Sequence, residues 1–216
     1  QGDLDKMKDL EEVYELRMKH FPANTNEADI IQGLARFKFD NKIGTPEEWF
    51  AEFDKAYKLD PSRFTSPVSI YTYFSLAVDL YNDDKKELPE IFVLYDEVIE
   101  KIGESRNNTA NALTKILEKE SAGETLDETE LRHKKAHDTN LTAYGKVTQS
   151  INAKLGVLAD CENLIPLYER EYEARKDDID WLKAASNRLD AKNCETDLFF
   201  KLAERLHELE PSADSA

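Results

Sequence analysis

Basic residues are short in this chain: 29 Lys and Arg stand against 45 Asp and Glu in 216 residues, a formal charge of −16. A phosphate-binding surface draws its affinity from clustered Lys and Arg, so the shortage argues against a nucleic acid or an anionic membrane as partner. Glycine and proline are scarce too, at seven each, too few for a chain of many short strands and tight turns. No apolar run approaches the roughly 20 residues that cross a bilayer, so no transmembrane segment is expected. The only thiols are Cys161 and Cys194. They suit one disulfide in an oxidising compartment or two inert buried thiols in a reducing one. A disordered acidic tail is excluded by the 40% hydrophobic and 10% aromatic content.

Chemical motifs are missing as well. The chain has no Gly-rich phosphate loop, no Gly-x-Ser-x-Gly elbow and no Cys/His pairing suited to a nucleophile, so no cofactor is implied. His133 and His137 stand one helical turn apart, with Glu130 nearby, but Lys134 and Lys135 lie between them and no further ligands converge. They read as a solvated face, and no metal is expected. Asp83-Asp84 and Asp177-Asp178 lack the twelve-residue loop of a calcium site and read as turn and cap residues. A carboxylate pair is the one catalytic device that a chain with 45 acids leaves open.

What is present is helical periodicity almost throughout, with apolar residues at spacings of three and four. A first helix is expected over about Leu4 to His20, with Leu10, Val13, Tyr14 and Arg17 on its face. A second runs from about Asn26 to Asp40 along Ile30, Ile31, Leu34 and Phe37. Thr45-Pro46-Glu47-Glu48 supplies an N-cap hydroxyl, a first-turn proline and a Glu reaching back, and starts a third helix that ends at Leu59 before Pro61. Ser66-Pro67 repeats the start, and Ile70, Phe74, Ala77, Val78 and Tyr81 carry a fourth helix to the turn at 82–86. From Leu88 the helical spacing continues for more than thirty residues, with Gly103 as the one candidate break. Ser121-Ala122-Gly123 stops it, Thr125-Leu126-Asp127-Glu128 has capping-box spacing, and a second long run reaches Leu158. Two such helices joined by a short turn fold back as an antiparallel hairpin, whose polar outer end is expected to project. Shorter helices follow at about Glu162 to Lys176, Asp178 to Leu189 and Thr196 to Leu209.

An internal repeat runs through the shorter helices. Trp49, Ala56 and Pro61 have the same spacing as Phe199, Leu206 and Pro211, and Lys58-Leu59-Asp60-Pro61-Ser62 lies over Glu208-Leu209-Glu210-Pro211-Ser212. Ile91, Val98 and Gly103 make a weaker copy. These are positions where a tetratricopeptide repeat (TPR) places the packing residues and closing proline of its second helix. The expected fold class is therefore all-α: a TPR-like α-α superhelix of stacked helix pairs, with a long antiparallel hairpin inserted around residues 88–158. It divides into N-terminal pairs over 1–87, the hairpin over 88–158 and C-terminal helices over 159–216, in one continuous repeat domain. Pairs that cannot bury their own stripe bury it against neighbours. At about 1.5–3 kcal/mol for each buried anchor, Trp49, Phe53, Phe74, Trp181 and Phe199 belong to the core.

Several stretches resemble one family in particular: Lys19-His20-Phe21-Pro22, Gly44-Thr45-Pro46-Glu47-Glu48-Trp49, Leu155-Gly156-Val157-Leu158-Ala159-Asp160-Cys161, and Phe199-Phe200-Lys201-Leu202-Ala203-Glu204 with Leu209-Glu210-Pro211-Ser212-Ala213. They are similar to exported TPR proteins of Bacteroidetes, most of which have no assigned activity. The resemblance implies a signal peptide removed before a mature start near Gln1, and a periplasmic or cell-surface location. In that family the Leu-Glu-Pro-Ser-Ala motif leads into another repeat, so a chain shortened at Ala216 is expected.

Cys161 and Cys194 lie 33 positions apart, close to one repeat length, each just before a helix and both at the same end of the stack. Two readings stand: a disulfide stabilising by about 3–4 kcal/mol, or two thiols held about 10 Å apart at interhelix distance, too far to bridge. Tyr71 and Tyr73 cannot both share the stripe of Ile70, Phe74 and Val78. At least one is expected to be exposed as a partner-binding anchor, unless it packs on the neighbouring pair. The expected function is a non-enzymatic scaffold for a protein or peptide ligand. The alternatives are a carbohydrate-binding component of a nutrient-uptake system, suggested by the resemblance, and a hydrolase with a carboxylate pair.

Overall fold

The computed structural model describes residues 9, 10, 12–14, 16, 17, 19–21 and 25–211. Residues 4–8 of the expected first helix, Pro22, and Ser212 with the rest of the carboxyl end lie outside the described residues. Among those described, no strand occurs, so the all-α class holds. None of their helices is long and apolar enough to cross a membrane. The described residues between 9 and 20 are helical; of the face expected there, Leu10 and Tyr14 are half-buried, whereas Val13 and Arg17 are exposed. The helices that follow are α1 (Glu27–Asn41), α2 (Pro46–Leu59), α3 (Pro67–Asn82), α4 (Leu88–Ser121), α5 (Glu128–Leu158), α6 (Cys161–Arg175), α7 (Ile179–Ala191) and α8 (Asp197–Leu209).

The chain divides into two compact units, residues 1–152 and 153–216, at a boundary inside α5. The base of the long hairpin packs with the helices before it, and residues 153–158 of α5 belong with the helices after it.

In the first unit each helix packs on the next: α1 on α2, α2 on α3, α3 on α4. Caps set the boundaries. The Asn26 side chain accepts the Asp29 N–H, and Thr45 and Glu48 form a reciprocal capping box. Ser66 caps the Pro67 start of α3, and Glu87 with Glu90 boxes the start of α4. α3 is apolar on nearly all sides and is buried accordingly at Ile70, Tyr73, Phe74, Leu76, Ala77, Val78 and Leu80. Its buried Thr72 hydroxyl donates to the Val68 carbonyl at 2.9 Å, which satisfies it within the helix. An aromatic cluster joins α2 to α3: Phe53 meets Phe64 edge-on at 6.2 Å between centroids, and Phe50 stacks on Tyr73 at 5.2 Å.

α4 has 34 residues and runs unbroken through Gly103, so the candidate break is no break. At 1.5 Å per residue it is about 50 Å long. α5 returns antiparallel. Tyr95 donates to Asn152 at 2.9 Å near the base, while Lys119 reaches Glu130 at 2.5 Å and Lys134 reaches Glu120 at 2.6 Å near the tip. The capping box of α5 lies two residues beyond the expected one, between Asp127 and Glu130, whose backbone N–H groups each donate to the other's carboxylate. Tyr144 pins the base by donating to the Thr65 carbonyl at 2.5 Å. From Arg106 to Ala143 no residue is buried. Beyond Ser105 each helix of the hairpin therefore has little cover except the other, and exposed ion pairs of the kind at the tip contribute little each.

The second unit packs α6 on α7, α7 on α8, and α6 on α8. Leu164, Leu182, Ala185, Leu189 and Leu202 are fully buried, and Tyr168 meets Trp181 edge-on at 5.8 Å. Asp178 caps α7, accepting the Trp181 N–H at 3.0 Å. This bond and the neighbouring Arg175 hold the Asp178 carboxyl below its ordinary range.

The two helices overlaid in the sequence, α2 and α8, share local geometry at their ends. Thr45 caps α2 and Thr196 caps α8 through their side chains. At the other end Asp60 (φ −152°, ψ 86°) donates its N–H to Ala56, and Glu210 (φ −135°, ψ 78°) donates to Leu206. The overlay holds at this end and slips by one residue at the start, because the position matching Thr45 is Glu195 and the cap moves to Thr196. Phe53, Phe74 and Trp181 are buried as expected, but Trp49 and Phe199 are only half-buried. Trp49 lies at the first turn of α2, where its ring N–H donates to the Ile43 carbonyl at 2.5 Å and its ring meets the edge of Phe39.

Candidate functional site

The two tyrosines singled out from the sequence do not form an exposed pair. Tyr73 is 1% exposed, and its hydroxyl donates to Asp54 Oδ1 at 2.6 Å. Burial, that bond and the Asp54 charge raise its pKa far above the ordinary phenol range. Tyr71 is half-buried. Packing on a neighbour, the other outcome left open for them, holds for Tyr73: α2 and α4 both pack against α3, so residues off the main stripe are covered as well. Tyr73 is the floor of a cleft and not an exposed contact anchor.

Cys161 and Cys194 are joined in a disulfide, with Cα atoms 5.6 Å apart. The expected 10 Å separation applies between helix axes. These residues lie elsewhere, Cys161 at the first turn of α6 and Cys194 in the connection ahead of α8, where the chain comes closer than packed helices do. His133 and His137 stay on the hairpin with ring centroids 6.2 Å apart, and no group of three or more metal-ligating side chains forms among the described residues.

Above the Tyr73 floor is a cleft of about 330 Å³, lined by α2, α3, α4 and the turn before α4. α2 contributes Phe50, Asp54 and Lys58, one turn apart on one face; α3 contributes Tyr73 and Ala77; α4 contributes Pro89, Glu90, Val93, Leu94 and Glu97; and Lys86 comes from the turn. The apolar wall is Phe50, Pro89, Val93 and Leu94. Val93 is 52% exposed, an aliphatic side chain held open beside the buried Leu94.

The charges on the rim are largely paired. Lys58 Nζ lies 2.8 Å from Asp54 Oδ2, and Lys86 Nζ lies 2.8 Å from Glu90 and 4.4 Å above the Phe50 ring. Hydrogen bonds from the Glu87 N–H and then Lys86 hold the Glu90 carboxyl low. Glu97 makes no ion pair within 4.0 Å among the described residues; desolvation in the cleft raises its pKa, with Lys58 opposing and Asp54 adding to the rise.

Both Asp54 oxygens are partnered, one by Tyr73 and one by Lys58. Phe50 and Val93 escaped the sequence reading because they lie off the apolar stripes that defined their helices. Those off-stripe positions were the available signal. No known protein family, curated protein or solved structure matches the chain.

Proposed function

We propose that the chain is a non-enzymatic helical-repeat scaffold that binds a protein or peptide partner through the cleft between α2, α3 and α4. The observation that carries this reading is an open cleft with an aliphatic wall, an aromatic floor and an ionic rim, built on three rigid helices. Such a surface fits side chains of an extended segment, with apolar anchors centrally and charges at the edge. The sequential packing of α1 through α4 and the matched termini of α2 and α8 support TPR-like stacking of helix pairs. The Cys161–Cys194 disulfide supports an oxidising location, in keeping with the exported, periplasmic or cell-surface proteins of Bacteroidetes that the sequence resembles.

The test is selection from a random peptide display library on the purified chain, with Val93→Ser as counter-screen. Peptides should enrich on the native chain and lose most of their binding to the variant. Enrichment of binders indifferent to Val93 would contradict the reading.

A further inference from the structure

We propose that the occupant of this cleft is a basic segment of a partner polypeptide, with an aliphatic side chain against Phe50 and Val93 and a Lys or Arg beside Glu97. The inference rests on the peptide-binding reading and adds the charge of the ligand. Five ionisable side chains other than the tyrosine line the cleft: Asp54, Lys58, Lys86, Glu90 and Glu97. Lys58 is committed to Asp54 and Lys86 to Glu90. Glu97 is left over. An acidic occupant would meet this unpaired carboxylate and would have to share a lysine already held by Asp54 or Glu90. A cationic side chain meets Glu97 directly while both pairs stay intact.

The surroundings have the same sign. Glu100 and Glu104 follow Glu97 along α4, and together with it they raise the pKa of Tyr57 after burial itself. Glu104 is taken by Lys101 at 2.7 Å, while Glu100 has no ion pair among the described residues. The whole chain carries −16. Long-range attraction and local complementarity therefore both favour a basic segment. The exposed Val93, with Pro89 and Leu94, asks for an aliphatic residue next to the cation.

The experiment is a fluorescence-anisotropy titration of the full chain with three labelled nonapeptides: alternating Lys and Leu, alternating Glu and Leu, and alternating Lys and Ser. The Lys/Leu peptide should bind tightest. Glu97→Lys should weaken it at least tenfold and Glu97→Gln several-fold, while Glu118→Lys, the same charge reversal on the exposed distal hairpin, should change it less than twofold. Val93→Ser should weaken it several-fold. Equal effects of Glu97→Lys and Glu118→Lys would overturn the proposal, since binding would then follow net charge alone. A Glu/Leu peptide that binds tighter and depends on Val93 would overturn the charge assignment and leave the peptide-binding reading standing. If no peptide depends on Val93, both fall.

Discussion

α2 and α8 have a similar capped start, the same closing geometry and an aromatic pair at matching positions, Trp49-Phe50 and Phe199-Phe200. Their surroundings differ. α3 covers α2, so Phe53 and Ala56 are fully buried, and α4 stands near enough that Phe50 becomes the wall of a cleft. On α8 the matching Ala203 and Leu206 are half-buried and Phe200 is 63% exposed. One sequence rhythm therefore yields the wall of a cleft in one setting and an exposed aromatic in the other. The rhythm specifies the helix and its ends; the neighbouring helices decide whether a site exists.

Truncating the covered copy should do most damage. Phe53→Ala removes a fully buried ring and should cost about 3–5 kcal/mol, whereas Leu206→Ala on α8 should cost about 1 kcal/mol. The two tryptophans fall one in each unit, Trp49 in the first and Trp181 in the second. Urea denaturation in Trp181→Phe and Trp49→Phe backgrounds reads each unit alone. Similar losses at the two positions would show that cover does not separate the copies.

The disulfide should be next. The second unit has 64 residues and a small core, and closing a 33-residue separation should stabilise it by about 3–4 kcal/mol on the chain-entropy model. The double variant Cys161→Ser, Cys194→Ser should lower the Trp181-reported midpoint and leave the Trp49-reported one within error. A matching fall at Trp49 would mean that the units do not unfold separately.

The smallest effect concerns the helix starts. Gly44 has φ 92°, and a Cβ there would lie 2.5 Å from Glu48 Oε2, the carboxylate that closes the Thr45 capping box. Gly44→Ala should cost about 1–2 kcal/mol through backbone strain and a weakened cap. Glu195, at the corresponding place before Thr196, has no such constraint, and Glu195→Ala should stay within about 0.5 kcal/mol. Equal costs, read by the same denaturation assay, would mean that the two starts are not built differently.

Helix existence was legible because the signals are local. Thr45-Pro46, Ser66-Pro67 and the turn around Gly123 act within four residues of the ends they mark, and the structure follows them closely. Gly103 misled because one glycine inside a long helix costs only about 1 kcal/mol, which the buried Val98 and Ile102 on the preceding turn offset. Burial was harder to read, since it depends on partners far away in sequence. Tyr73 lies 19 positions from Asp54, and no pattern along α3 alone announces that contact. Lys101 is 5% exposed with its ammonium turned to Glu104, a burial that composition does not suggest. The cleft was least legible, because it brings together side chains of three separate helices, Phe50 and Val93 among them off the stripes that mark those helices.

The most direct measurement is hydrogen exchange on the full chain, free and saturated with the tightest peptide obtained. Slowed exchange is expected only in residues 46–59 of α2 and in 86–97, the turn before α4 and its first turns, with residues 197–209 of α8 unchanged despite their exposed Phe200. Protection on α8 with none on α2 and α4 would contradict this expectation.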